Sequence, residues 1–271
     1  DNIKIVGLAF TESAKISARF TVTNFEFAFN NVYNTAVATS TWTVTPLEVN
    51  AFMSIYNTNS LASAASKNLY ITNNRFHNVP EYNVSIARAE NVVIQDNSFR
   101  NFTRDAVRFD GGFNGGLYLI TKNEFINDTP TGYNGVYFRI YGADSAGVLS
   151  SHRIEITHNV FKNMGQNVLY SGAISARNYQ EFGAEFEIMY NHFENTLNYI
   201  FLRNNATAVN HSNHLWIANI NHNAFIGLPD TYYSRTKHET DTETTNPSLI
   251  NFDHNYFEDN AGQTITDLVP L

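Results

Sequence analysis

The sequence predicts an all-β chain folded as a parallel β-helix solenoid of about nine coils, and three observations carry that prediction. One octet recurs seven times, as stacked repeat architectures require. Each octet closes a stretch in which apolar and polar residues alternate, the period of a strand. Asparagine occurs 38 times in 271 residues and holds one fixed place in every octet.

The octets are ITNNRFHN from Ile71, IQDNSFRN from Ile94, ITKNEFIN from Ile120, ITHNVFKN from Ile156, IMYNHFEN from Ile188, INHNAFIG from Ile220 and FDHNYFED from Phe252. Their Phe anchors are Phe76, Phe99, Phe125, Phe161, Phe193, Phe225 and Phe257, so the coils are 23, 26, 36, 32, 32 and 32 residues long. Weaker copies are expected to end at Phe10 and Tyr33. Coils of unequal length with a constant strand-and-bend suit a parallel β-helix, because a coil lengthens by bulging outward while its strand stays in register. A leucine-rich solenoid would need a leucine scaffold, and a propeller about four strands per 40–45 residues.

The anchoring asparagines Asn74, Asn97, Asn123, Asn159, Asn191, Asn223 and Asn255 are expected to form a ladder. Asparagine tolerates the left-handed backbone of a sharp bend, and its amide can donate to one neighbour and accept from the other. An unpaired buried amide costs about 1–3 kcal/mol, so such a ladder sets register as well as stability. The phenylalanines should stack inside, contributing about 0.5–1.5 kcal/mol per ring pair beyond area burial. Asn78, Asn101, Asn127, Asn163, Asn195 and Asp259 form a second polar column at the next bend.

These repeats resemble the right-handed parallel β-helix (pectate-lyase-like) superfamily, most of all the β-helix repeat regions of bacterial cell-surface proteins. The resemblance covers Asn68 to Glu258 well and the first sixty residues loosely. It implies a right-handed coil and an extracellular, cell-surface location. It carries no activity, since the Asn-Thr-Asp, Asp-Asp and Gly-His-Gly signatures of polygalacturonases and the Arg-x-Pro-x-x-Arg of pectate lyases are missing.

One domain over 1–271 is expected, about 40 Å long at ~4.8 Å per coil, as part of a longer surface protein. Excursions are expected over 35–67 and 227–248. In the first, Phe52, Met53 and Ile55 should pack on the outward positions Tyr70, Val93 and Leu119. The chain has no cysteine, which excludes a disulfide framework and thiol chemistry. A net charge of −8 argues against a nucleic-acid or anionic-membrane partner. No run of 18 apolar residues supports membrane insertion, and DNIKIVGLAF lacks the features of a signal peptide.

A second strand per coil reads VSIAR, VRFDG, VYFRI, ISARN and IFLRN. Aligning their inward residues places Ala87, Asp110, Arg139, Arg177 and Arg203 in one outward column, with Ser85, Arg108, Tyr137, Ser175 and Phe201 beside it. Neighbouring arginines would repel by about 1 kcal/mol in water and about 3 kcal/mol at an effective dielectric of 20. Asp110, Asp144, Glu181, Glu185 or an anionic ligand could offset them. Arg108, Asp110, Tyr137, Arg139, Arg177, Phe201 and Arg203 are therefore the candidate ligand-binding residues. With Tyr141 and Tyr179 nearby, the face offers the planar donors and rings that suit a sugar chain.

The leading expectation is a glycan-binding, adhesive or structural surface module without catalysis, its partner a polysaccharide or cell-surface glycoprotein. Two alternatives are enzymes. A polysaccharide lyase on an acidic glycan would use Arg139, Arg177, Tyr137 or Tyr141, neutralising a uronate and removing its proton. A tailspike-type glycosidase would use Glu155 and Glu187, one coil apart, as acid and nucleophile, although Arg153 and Glu185 favour an ion-paired stripe. His158, His222 and His254 share a further column, with His192 one residue off. His222 and His254 give two metal ligands without a third, and no loop motif supports Ca²⁺, so no cofactor is expected.

Overall fold

The computed structural model describes residues 2–12, 15–18, 21–35, 51–56, 65–111, 116–140, 152–164, 171–178, 185–196, 198–204, 217–227, 232–238 and 249–258. Among these residues 26 strands form three sheets, of nine, nine and eight strands, in which every pairing is parallel to the strand of the next coil. The first sheet runs from Ile3–Val6 to Leu249–Asp253 and the second from Ala9–Glu12 to Tyr256–Glu258. The third holds Ile16–Ala18, Ala51–Ile55, Tyr82–Ala87, Val107–Gly111, Val136–Ile140, Ile174–Asn178, Asn198–Asn204 and Tyr232–His238. The chain is a parallel β-helix.

Alternation along each strand sends one set of side chains to a continuous core. In the first sheet Leu69, Ile71, Val92, Ile94, Ile154 and Ile156 are buried. In the second, Phe76, Phe99, Phe125, Phe161, Phe193, Phe225 and Phe257 stack at ring-centroid separations of 4.8, 5.0, 4.9, 5.0, 4.9 and 5.1 Å. Burying one such ring fully stabilises by about 1.5–3 kcal/mol.

The asparagine ladder runs through eight coils from Asn30 to Asn255. Asn159 typifies it: its Nδ2 donates to Ile120 O (2.9 Å), Thr157 O (3.0 Å) and Asn191 Oδ1 (3.0 Å). Its Oδ1 accepts from the Asn123 backbone N–H (2.9 Å) and Nδ2 (3.0 Å). The left-handed residue of the bend, however, is the one before the ladder. Asn73, Asp96, Lys122, His158, Tyr190, His222 and His254 have φ between 50° and 58°. The two tasks separate because the turning residue must aim its N–H at the next coil, as Asn73 does to Gln95 O at 3.0 Å. The ladder residue must instead keep its side chain turned inward.

Other expectations need correction. The anchor of the second coil is Val32, which pairs with Phe10 and Phe76, while Tyr33 pairs with His77. In the second polar column Asn78, Asn101, Asn163 and Asn195 turn the chain with positive φ. Asn127 is instead buried and accepts from Phe102 N–H at 3.0 Å, and Asp128 binds Asn101 in its place. A register shift between Ile126 and Thr131 displaces it. Asp259 lies outside the described residues.

The stretch 35–67 contains the third-sheet strand Ala51–Ile55, and 227–248 contains the last one, Tyr232–His238. Phe52 packs inside against Phe10 (5.4 Å) and Phe76 (6.1 Å), not on Tyr70, which remains exposed. A third asparagine column, unforeseen, opens the first sheet: Asn24 donates to Asn2, Asn68 to Asn24 and Asn91 to Asn68. It ends at Gly116, whose φ is 98° and where a Cβ would lie 2.9 Å from Asn91 Oδ1.

Candidate functional site

Core-facing Val107, Phe109, Val136 and Phe138 turn the residues between them to the opposite face of the third sheet. The expected columns are present. Ser85, Arg108, Tyr137, Ser175 and Phe201 are register partners in turn, and so are Ala87, Asp110, Arg139, Arg177 and Arg203. The second column continues to Lys237, which lies within the excursion expected over 227–248.

The face is drier than its sequence implies. Arg108, Asp110, Tyr137 and Phe201 are buried, whereas the Arg139 side chain is 22 % exposed and Arg177 is half-buried. Asp110 accepts from Arg108 Nε (2.5 Å) and Nη2 (3.1 Å), and Arg139 Nη1 lies 3.8 Å away. Burial alone would weaken the hold of Arg108 on its proton. Asp110 more than reverses this and raises it above the ordinary guanidinium value.

The strand approaches add residues that the strand alignment missed. Arg108 Nη1 donates to Tyr82 Oη at 2.7 Å and its guanidinium lies over the Tyr82 and Tyr137 rings at 4.8 and 5.5 Å. Arg104 lies over Tyr82 and Tyr133 at 5.0 and 5.7 Å and binds Glu81 at 3.2 Å. Asp105 accepts from Asn134 Nδ2 at 2.6 Å. Burial pushes its carboxyl up to about 6, partly opposed by Arg108 and Asn134, and burial pushes Tyr82 up to about 12. A legible signal existed, since Tyr82, Asp105, Asn134 and Asn198 each stand two residues before the first inward residue of their strand.

Chemically, the buried part is a closed ion-pair and ring cluster, with the partly exposed Arg139 and the half-buried Arg177 on the next two strands. Tyr137 is held beneath Arg108 and away from water, a poor place for a proton-abstracting base. Tyr141, Tyr179, Asp144 and Glu181 lie outside the described residues. Glu155 and Glu187 are register neighbours on the first sheet, but Arg153 Nε lies 2.7 Å from Glu155 and Asn219 Nδ2 donates to Glu187 at 2.8 Å. That is an ion-paired, hydrogen-bonded stripe.

The histidine column includes Tyr190. His158, Tyr190, His222 and His254 stack at 5.1, 5.2 and 5.3 Å. The His222 and His254 planes differ by 5°, so their in-plane lone pairs do not converge on one ion, and among the described residues no three metal-ligating side chains cluster. Among those residues, too, no helix is long and apolar enough to cross a membrane.

Comparison with protein-family models, with curated proteins and with solved structures finds no match to this chain. The fold and the face define its class: a parallel β-helix with a cationic file on one sheet.

Proposed function

We propose that the chain is an extracellular, non-catalytic β-helix module that binds a polysaccharide or the glycan of a cell-surface glycoprotein. The observation that supports this is the file Arg139, Arg177, Arg203 and Lys237, four cationic residues in strict register on consecutive strands. On a chain of net charge −8 this is a local reversal of sign. The guanidinium groups of Arg139 and Arg177, register partners one strand spacing of ~4.8 Å apart, suit the repeated acidic or hydroxyl groups of a polymer. A rigid scaffold holds them in place, which lowers the ordering cost of binding.

The test is retention on a glycan array, comparing the wild-type chain with Arg139→Ala/Arg177→Ala. At least a ten-fold loss of retention is expected. Unchanged retention of every glycan would reduce the file to a structural ladder. Ultraviolet-absorbing unsaturated product from alginate, pectate or a glycosaminoglycan would replace binding with lyase chemistry.

A further inference from the structure

The left-handed corner before each ladder asparagine suits Gly, Asn or Asp, and Asn73 and Asp96 hold it in two coils, with Phe29 and Lys122 in two others. Four consecutive coils hold ring residues there instead: His158, Tyr190, His222 and His254, at φ 57°, 58°, 54° and 50°. The left-handed region costs most L-residues about 1–2 kcal/mol, and stacking returns about 0.5–1.5 kcal/mol per pair. Stability alone therefore gives little reason to prefer rings here. The rings are also exposed, Tyr190 by 51 % and the His254 side chain by 69 %.

We propose that this ridge is a track for an extended, β-1,4-linked polysaccharide lying parallel to the solenoid axis. The proposal rests on the glycan-binding reading but assigns a surface separate from the cationic file. Each ring turns a face toward the next, so solvent meets ring edges, and the track works by hydrogen bonding rather than by stacking on sugar faces. Nδ1 of His222 faces Asn221 Oδ1 at 3.1 Å and Nδ1 of His254 faces Asp253 Oδ2 at 3.0 Å. Both oxygens accept, so Nδ1 carries the proton of the neutral ring and Nε2, remote from the backbone, accepts from a sugar hydroxyl. The Tyr190 hydroxyl does both.

The repeat selects the polymer. One polar edge recurs per coil, every 5.1 to 5.3 Å between ring centres. An extended peptide repeats its same-face side chains every ~6.7 Å and falls out of step within two or three coils. A β-1,4-linked pyranose chain advances by roughly one coil step per sugar, presenting hydroxyls to each edge.

The test follows histidine Cε1–Hε1 signals by NMR, with calorimetry, using β-1,4-linked glucose and xylose hexamers and dimers. The wild-type chain is compared with His222→Asn/His254→Asn and with Arg139→Ala/Arg177→Ala. Asparagine already occupies this corner at Asn73, so the double variant keeps its bend, and its melting temperature checks the fold. A hexamer should shift the His158, His222 and His254 signals together. Dimers should bind at least ten-fold more weakly, and the asparagine variant should lose at least ten-fold while the arginine variant keeps the shifts. Signals that neither hexamer moves, or equal hexamer binding by the asparagine variant, would overturn the track. Array retention by the wild-type chain in that case leaves the glycan reading standing, and its absence removes both.

Discussion

Two columns of buried polar residues run along this solenoid, and they solve the same problem differently. The corner ladder from Asn30 to Asn255 repeats one residue in eight coils, and each amide has the partners of the amide below it. The approach to the third sheet places Tyr82, Asp105, Asn134 and Asn198 at matching positions, and each bonds differently. Asp105 accepts from Asn134, whose Oδ1 accepts from Gly172 N–H, while Asn198 donates to Ser171 O. A uniform column is satisfied by translation alone and specifies the fold. A mixed column needs a local partner for every member, so its chemistry varies from coil to coil, and the ion pairs and rings of the third sheet gather beside it.

The largest loss of stability is expected at the buried ion pair. Asp110→Ala leaves the Arg108 guanidinium buried without its bidentate partner, and breaking such a pair costs about 3–5 kcal/mol. Urea unfolding should read that loss. Replacing both residues by apolar ones of similar volume should recover most of it. Asn159→Ala follows. It removes an amide whose two N–H groups reach three acceptors and whose oxygen accepts twice in a buried ladder, and with about 1–3 kcal/mol per orphaned group the loss should reach about 3 kcal/mol. A loss below 1 kcal/mol would mean that the ladder records the fold without enforcing it.

Asp105→Asn sharpens the contrast through pH. Burial raises the folded-state carboxyl from 3.8 to about 6, so the folded chain holds this proton more tightly than the unfolded one. Keeping the carboxylate charged therefore costs stability fully above about pH 6, and that cost fades as pH falls toward 4. Asparagine still accepts from Asn134 and carries no charge. The variant should therefore melt above the wild-type chain at pH 8, with the gap closing by pH 4.5. A constant gap across that range would show that Asp105 is not the titrating group.

The fold was legible because its signal is periodic: Asn-x-Phe fixed the coils, and register then followed by counting. Counting from Asn30 gives Val32, two residues on as in the other coils, but the neighbouring Tyr33 is the aromatic residue, so spacing and residue type disagree there. Strand Ala51–Ile55 is not legible as a strand because its sequence AFMSI opens on an uninterrupted apolar run with no alternation of apolar and polar residues. The cationic file was legible in three of its four members, since ISARN and IFLRN align without gaps, whereas Lys237 stands in a polar run that resembles a loop. Burial of Arg108 and Tyr137 was not legible, because alternation tells which way a side chain turns and not what lies over it.

The smallest effect belongs to the exposed counterpart of the ladder. Asn78 donates to Asn34 and accepts from Asn101 at 2.9 and 3.1 Å, distances like those of the buried amides. Geometry alone would therefore predict equal worth. Water separates the cases, since in an exposed ladder it replaces each lost bond, and the net contribution of such a bond is about 0.5–1.5 kcal/mol at most. Asn78 also holds a left-handed bend at φ 53°, which alanine adopts at a cost and glycine does not. Asn78→Gly should therefore cost under about 1 kcal/mol and Asn78→Ala about 1 kcal/mol more, both below Asn159→Ala in the same urea titration. Equal losses at Asn78 and Asn159 would place the stabilisation in the repeated amide geometry itself, whatever its burial.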